Sequence, residues 1–307
     1  MRKGESLLKL LEELKNGLPP ERLLENEPMA RHTTFRLGGP ADVFALPATP
    51  EEAVFAVETA KALDVPCLVL GNGSNMIVRD GGIRGLVVST QEMAEVIIEG
   101  EELTAQAGTL LSKVAAHALA AGLSGLEFAC GIPGTAGGAA AMNAGAYGHD
   151  MSCVTIGARV LMEGRDQWLS REGLDYGYRK SVILKKGGVV LAARYKLVPD
   201  DPERIRTRMN EFNASRREKQ PLTLPSAGSV FKRPEGHFAG ALIEQAGLKG
   251  YTIGGAQVST LHAGFIVNVG GATAGDVLNL IAHIQREVLA QFNVLLECEV
   301  RILGEEK

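Results

Sequence analysis

Along the chain, the spacing of apolar residues switches repeatedly between helical and strand-like, and the switches mark its elements. In LLKLLEELKNG the leucines recur at three- and four-residue intervals, which predicts an amphipathic N-terminal helix within residues 1–18. Thr49-Pro50-Glu51-Glu52 supplies a hydroxyl cap, a proline at the first helical position and acids in the first turn. A helix therefore opens there and runs through AVFAVETAKAL. The short apolar runs VPCLVLG and RGLVVST read as buried strands, while AEVIIEGEELTAQAG and VTIGARVLMEGRDQWLS predict hairpins turning at Gly100 and Gly164. Thr109 is expected to cap the helix LLSKVAAHALAAG, and Gly122 to close it. VVLAARYKLV predicts a further strand, after which Asp201-Pro202-Glu203 opens the long polar helix RIRTRMNEFNASRREK and marks a domain boundary. Beyond it, AGALIEQAG and Thr273 to Phe292 read as helices, AGFIVNV and VLLECEVRIL as strands. Both parts mix α and β, with no internal repeat and no heptad.

Composition narrows the class. At 307 residues the chain exceeds the size at which one core keeps growing, so two or three packed units are expected. Charged residues make up 22%, hydrophobic residues 45%, and the net charge is -4, as in a soluble globular protein. That weakly acidic balance argues against nucleic-acid binding. The one dense basic cluster, Ser215 to Lys219 (SRREK), is too short for a duplex footprint but suits one or two phosphates. The N-terminus lacks the long apolar core of a signal peptide, and no run is apolar enough to span a bilayer. Cys67, Cys130, Cys153 and Cys298 are scattered, without a C-x-x-C pair or a histidine at ligand spacing. A reduced cytoplasmic protein with no bound metal is expected. Nothing in the sequence fixes an oligomeric state, and a monomer is the default.

Glycine placement carries the chemistry. GNGSN, Gly71 to Asn75, follows a strand directly, and GIPGTAGGAAAMNAGAYG, Gly131 to Gly148, holds six glycines in eighteen residues. A bare loop at a strand end presents consecutive backbone N–H groups to an anion such as phosphate, and Asn72, Ser74 and Asn75 add neutral donors. Taken alone, GNGSN reads first as a surface turn, and the longer stretch can be read as tight backbone packing. Against packing alone stands the cost of ordering glycine, up to ~1 kcal/mol per position relative to alanine. Wrapping a large flat or anionic ligand would offset it. The spacing matches neither a dinucleotide fingerprint, which needs a third glycine and a following helix, nor a P-loop.

Seven segments then fall in one order: RHTTFRLGGPADVFALP, LVLGNGSNMIVRDGGIRGLVV, LEFACGIPGTAGGAAAMNAGAYG, DYGYRKSVI, AGSVFKRP, LIEQAGLKGYTIGGAQVSTLHAGFIVN and LLECEVRILG. Together they resemble the UDP-N-acetylenolpyruvoylglucosamine reductase family over nearly the whole chain after about residue 20. The resemblance implies an α+β fold with a two-subdomain FAD-binding region of the vanillyl-alcohol-oxidase (PCMH) type, followed by a smaller α+β substrate-binding domain. The corresponding boundaries are 1–18 for the N-terminal helix, 19–200 for the FAD-binding region and 201–307 for the substrate domain. Only fifty positions separate Arg179 from Ser229, as in the shorter form of the family.

The same resemblance implies non-covalent FAD, NADPH as hydride donor and a UDP-sugar enolpyruvyl ether as small-molecule substrate. Gly71, Asn72, Gly73, Ser74 and Asn75, with Gly131, Ile132, Pro133, Gly134, Gly137 and Gly138, would run along the FAD pyrophosphate, and Asn143 and Gly145 would lie near the cofactor. Hydride transfer to C3 of the enolpyruvyl group leaves an enolate, and C2 then needs a proton. Arg179 matches the enolate-stabilising arginine, Ser229 the proton donor and Glu299 the carboxylate partner. Read without the resemblance, they are a strand-end ion pair, a turn serine and a strand glutamate paired with Arg301. Cys298 replaces the family's proline between Glu297 and Glu299, which makes Glu297 the weaker candidate. Lys219 would meet the UDP diphosphate, and Tyr178, Arg233, Gln257, His262 and Asn268 the rest of the substrate. Two other classes keep the glycine loops: an oxygen-using flavin oxidase of sugars or lactones, which would not need the catalytic trio, and a non-catalytic nucleotide-binding module. No histidine or cysteine is placed to tether a flavin.

Overall fold

The computed structural model describes residues 3–307 and divides the chain into two compact units. The first comprises Met1–Glu25, Val43–Asn72 and Gly85–Arg216, and the second Asn26–Asp42, Gly73–Arg84 and Arg217–Lys307. This division differs from the expected 18/19 and 200/201 boundaries in two ways. The helix Pro202–Lys219 belongs almost entirely to the first unit, and two short segments early in the chain belong with the C-terminal one.

In the first unit a five-stranded antiparallel sheet is ordered Arg165–Ser170, Thr155–Met162, Val189–Lys196, Glu102–Gln106, Val96–Glu99. Its two hairpins turn at Gly100 and at Glu163-Gly164, both with positive φ, as the alternation predicted. The helices Leu111–Ala120, Ala136–Met142 and Val182–Lys186 contribute to its core, which centres on Leu103, Val114, Val160, Leu191 and Tyr195. A second core joins the N-terminal helix, through Leu10, Leu11 and Leu14, to Ala56 and Ala60 of the helix Pro50–Ala62 and to strand residues Val43, Leu86 and Val88. The leucine stripe thus accounts for the first helix as a packing element. Thr49 caps its helix as expected, accepting from the Glu52 N–H.

The second unit holds a four-stranded antiparallel sheet ordered Ser226–Ser229, Phe265–Asn268, Ala256–Val258, Thr252–Ile253. The helices Ala239–Gln245 and Ala274–Phe292 pack with it around Val230, Ile243, Val258, Ile266 and Ile281. Thr273 and Asp276 form a reciprocal capping box at the start of the long helix.

Three local expectations are corrected. Thr109 does not cap its helix. The cap is Leu110, and the Thr109 hydroxyl instead donates to the Glu95 carbonyl, because its backbone is already committed to the adjoining loop, where its carbonyl accepts from Ala136. VLLECEVRIL is a strand only at Arg301–Leu303, paired in parallel with Met76–Val78. The preceding residues make isolated bonds to Val230–Lys232. Finally, the glycine stretch, read as loop, contains the helix Ala136–Met142, whose alanines are packing surface. No helix among the described residues is long and apolar enough to cross a membrane.

Candidate active site

Within the first unit, Gly71–Asn72 of one bare loop lies beside Pro133 of the other. Asn72 Nδ2 donates to the Pro133 carbonyl at 2.7 Å, and Asn72 Oδ1 accepts from Gln91 at 3.2 Å. A cleft of about 120 Å³ opens beside them, lined by Asn72, Gln91, Ala94, Gly108, Leu110 and Lys113. Adjacent glycine-rich loops with a cation and amide groups at one edge fit an extended anionic ligand such as a dinucleotide.

Much of the glycine content nonetheless serves the protein's own packing. A Cβ on Gly137 would stand 2.7 Å from the Ala107 Cβ, one on Gly71 2.2 Å from the Thr135 hydroxyl, and one on Gly145 2.5 Å from the His149 carbonyl. Gly73, with φ +59°, would press its Cβ to 2.1 Å from the His32 carbonyl. A Cβ on Gly131 would stand 3.0 Å from both the Asn213 Oδ1 and the Arg216 Cδ of the long helix. Gly138 alone among these is exposed, and a Cβ there would meet nothing nearer than the Thr135 hydroxyl at 3.6 Å. Close packing, the weaker of the two sequence readings of Gly131 to Gly148, therefore accounts for Gly131, Gly137 and Gly145, while Gly138 and Gly148 have open space. Ile132 is half-buried against the core, and the Gly134 carbonyl accepts from Leu111.

Asn143 organises the chain beyond this helix. It caps Ala136–Met142 in the left-handed conformation (φ +45°) and is 2% exposed. Its Nδ2 donates to the Gly177 carbonyl at 3.0 Å, and its Oδ1 accepts from the Ser152 N–H at 2.9 Å. Gly177 and Lys180 exchange both backbone bonds, closing a tight turn with Tyr178 and Arg179 at its tip. Arg179 sits at φ +54°, a conformation that costs a non-glycine residue about 1 kcal/mol. Its guanidinium donates to the Asn143 and Gly145 carbonyls at 3.4 and 3.2 Å and lies over the Tyr178 ring. Ser181 fixes the far side of the turn, its hydroxyl donating to the Ala141 carbonyl at 2.6 Å. Backbone strain held by several side-chain bonds is a mark of a functional position.

In the second unit, Ser229 and Glu299 lie on paired segments. The Glu299 N–H donates to the Val230 carbonyl at 2.7 Å, and Phe231 bridges Cys298. Ser229 is exposed, at a register shift in its strand next to Gly228 (φ +78°), and Glu299 is half-buried. The end of the GNGSN loop belongs to the same unit: Asn75 Nδ2 donates to the Glu299 carbonyl at 3.4 Å, and the Asn75 carbonyl accepts from Arg301. Ser74 is half-buried beside it. Glu297 is engaged elsewhere, its carboxylate 3.1 Å from Lys232 Nζ. Of the trio, Ser229 and Glu299 are thus neighbours, while Arg179 belongs to the first unit.

The substrate candidates fall into two kinds. Lys219 is exposed at the end of its helix, Tyr178 is 55% exposed, and Arg233 is exposed with its guanidinium over Phe238. The other three have structural bonds. Gln257 donates to Thr252, and Asn268 donates to the Phe35 carbonyl while accepting from Gly270 and Ala272. His262 Nδ1 accepts from the Gly264 N–H, and burial pushes its imidazole below the usual histidine value.

Sequence reasoning passed over the support beneath the glycine stretch. Glu127, buried, accepts from Ser124, the Gly125 N–H and Arg208, which also reaches Asp200 at 2.6 Å. Burial alone would raise the Glu127 carboxyl, but the Arg208, Gly125 and Ser124 bonds outweigh it and hold it below the ordinary value. Tyr147 stacks on Phe212 and donates to its carbonyl at 2.9 Å. The acid beside a turn serine and the arginine one helix away were visible as residue types, but nothing local pairs them.

Comparisons with known proteins give the family. Residues 41–164 match the family model of an FAD binding domain, and residues 220–303 that of the UDP-N-acetylenolpyruvoylglucosamine reductase C-terminal domain. The chain is 50% identical to the UDP-N-acetylenolpyruvoylglucosamine reductase of Pediococcus pentosaceus over 293 residues, covering 95% of this chain and 98% of that one. It is also 50% identical to that of Exiguobacterium sibiricum, covering 97% and 98%. Among solved structures it is similar to the reductase of Thermus caldophilus, with a TM-score of 0.78 at 37% identity, covering 91% of this chain and 97% of that one. The grass pollen allergen Phl p 4, with glucose dehydrogenase activity, shares the fold alone over 63% of this chain and 44% of its own, with a TM-score of 0.51 at 17% identity. The expected α+β architecture with a vanillyl-alcohol-oxidase-type FAD-binding region is borne out, and the chain belongs to the UDP-N-acetylenolpyruvoylglucosamine reductase family of FAD-dependent oxidoreductases.

Proposed function

We propose that the protein reduces UDP-N-acetylglucosamine enolpyruvate to UDP-N-acetylmuramate with NADPH, in the cytoplasm, as a step of peptidoglycan synthesis. The first unit would hold FAD along Gly71–Asn72, Gly131–Gly134 and Gly137–Gly138, with Asn143 and Gly145 near the cofactor. Gly73, Ser74 and Asn75 would continue that lining, and the second unit would hold the sugar nucleotide through Lys219, Arg233, Gln257 and His262, with Tyr178 contributed by the Arg179 turn. FAD, when bound, supplies hydride transfer from NADPH to C3 of the enolpyruvyl group.

The chain's own groups would do the rest. Arg179 grips the substrate carboxylate with parallel donors and stabilises the enolate, because a guanidinium stays charged and matches a carboxylate's two oxygens. Ser229 delivers a proton to C2. Glu299, one register step away, orients the enolate and that hydroxyl. The observation that carries the reading is the backbone pairing of Glu299 with Val230. It sets exposed Ser229 next in the chain to the backbone partner of half-buried Glu299, in a chain that also has an arginine on a strained, multiply bonded turn. The test is Ser229→Ala in anaerobic rapid mixing. NADPH should still bleach the flavin, while reduction of the enolpyruvyl substrate slows by at least ~10²-fold. Equal loss in both half-reactions would remove Ser229 as the proton donor.

A further inference from the structure

The long helix Ala274–Phe292 opens with four backbone N–H groups that its own backbone cannot pair, and all four are answered. Two are met by the capping box. The Thr273 N–H donates to the Asp276 carboxylate at 2.9 Å, and the Asp276 N–H to the Thr273 hydroxyl at 3.0 Å. The other two are met by Asp80, 194 positions before Ala274 in the chain. The Ala274 and Gly275 N–H groups donate to its two carboxylate oxygens, at 2.9 and 3.0 Å. A carboxylate that accepts at both oxygens on the positive end of a helix makes charge-assisted bonds and fixes position and orientation together.

What Asp80 anchors is the strand beside Glu299. Met76–Val78 pairs in parallel with Arg301–Leu303, and the pairing extends at both ends. At one end the Asn75 carbonyl accepts from the Arg301 N–H at 3.1 Å, and Asn75 Nδ2 donates to the Glu299 carbonyl at 3.4 Å. At the other, the Arg79 and Gly81 N–H groups donate to the Leu303 and Glu305 carbonyls at 2.8 and 3.0 Å. The long helix in turn leads directly into the C-terminal tail that carries Glu299, and its Gln285 donates to the Leu296 carbonyl at 2.8 Å. Helix, tail and strand thus form a circuit within the second unit, which Asp80 closes at the helix start. Glu299 lies inside that circuit, held through Asn75 on one side and by its own N–H to Val230 on the other. We propose that Asp80 is a positioning residue for Glu299. By tying the strand to the helix it sets where the tail, and with it the Glu299 carboxylate, stands against the Ser229 segment. The positioning role rests on the reading of Glu299 as the carboxylate that orients the enolate, whereas the anchor does not.

Two measurements on the FAD-loaded enzyme test the proposal, with Asp80→Asn, which keeps the shape and one acceptor oxygen, beside Asp80→Ala in case the latter does not fold. Amide hydrogen exchange reads the anchor. The Ala274 and Gly275 N–H groups should lose protection in the alanine variant and, to a smaller extent, in the asparagine variant; unchanged protection would overturn the anchor. Anaerobic rapid mixing reads the positioning role. Flavin reduction by NADPH should keep the wild-type rate in both variants. Reduction of the enolpyruvyl substrate should slow about 10-fold or more in Asp80→Ala, the scale expected when a catalytic group is displaced by a fraction of an ångström to an ångström. Asp80→Asn should fall between that and wild type. In a Glu299→Gln background the same substitutions should slow the substrate step no further, because the group they misplace is already disabled. Three outcomes would overturn the positioning role: variants that match wild type in both half-reactions, equal slowing of both, or the same loss with and without Glu299→Gln. If Glu299→Gln alone is silent, the reading of Glu299 fails and the positioning role with it, and the exchange measurement alone decides the anchor.

Discussion

Replacing Asn143 by alanine removes one amide from beneath the Arg179 turn, and its cost can be assembled from the structure. The side chain makes two bonds, to the Gly177 carbonyl and from the Ser152 N–H. Both partners keep another bond, Gly177 with Lys180 and Ser152 with Asp150, so neither is orphaned. The loss is then about 1 kcal/mol for each bond. Asn143 also sits at φ +45°, where alanine costs about 1 kcal/mol more than asparagine. The expected destabilisation is about 3 kcal/mol. Asn143→Gly accepts the left-handed backbone and should cost about 2 kcal/mol, so the order is wild type, glycine, alanine. Trp168 is the sole tryptophan and lies in the same unit, so its fluorescence in a urea titration reports the unit concerned. An alanine variant within 0.5 kcal/mol of wild type, taken as ~0.5 for the error of such titrations, or a glycine variant less stable than alanine, would refute the reasoning.

Gly137→Ala should destabilise by about 1–3 kcal/mol, because its methyl meets Ala107. Gly138→Ala should leave stability unchanged and instead weaken FAD retention, read by flavin absorbance after gel filtration; the reverse pattern would contradict the assignment of space at these positions. Arg208→Ala should cost about 2 kcal/mol at neutral pH, a reduced share of the penalty for breaking a buried pair since Arg208 is 37% exposed. Glu127 has a folded-state value held below its unfolded one, so its contribution is full above the unfolded value and lost as pH falls through the folded one. The difference between Arg208→Ala and wild type should therefore shrink on acidification, and a difference constant down to strongly acid pH would exclude this network. Arg179→Ala should remove roughly 3 kcal/mol of transition-state stabilisation, measured as the rate of the substrate half-reaction; a change within error would remove it from the site.

What the sequence revealed and what it hid divide by range. Helices with their own caps, such as Pro50–Ala62 and Ala274–Phe292, were legible because the signal lies within one turn of the element. Hairpins at Gly100 and Gly164 were legible for the same reason. Thr109 was misread because its hydroxyl answers to Glu95, fourteen residues away, and not to its own helix. The C-terminal strand shrank to Arg301–Leu303 because its partner, Met76–Val78, lies more than two hundred residues earlier and is only three residues long. The early segments Asn26–Asp42 and Gly73–Arg84 join the C-terminal unit through contacts that no local pattern announces. Arg179, Ser229 and Glu299 were singled out as site candidates only through family resemblance. The bonds from Asn143 and Ser181 that hold the Arg179 turn, and the Glu127–Arg208 pair beneath the glycine stretch, required coordinates, since each joins residues 34 or more positions apart. The glycines were conspicuous for a reason partly misjudged, because a bare backbone packs against protein as readily as it wraps a ligand.

The central claim is that electrons from NADPH leave this flavoprotein at an enolpyruvyl carbon. The direct measurement is anaerobic: NADPH is added to the FAD-loaded protein, then UDP-N-acetylglucosamine enolpyruvate, with flavin absorbance followed throughout. The account predicts bleaching on the first addition, full return of the yellow colour on the second, and one UDP-N-acetylmuramate formed per flavin reoxidised. Flavin that stays bleached with the sugar nucleotide yet reoxidises rapidly in oxygen would contradict it.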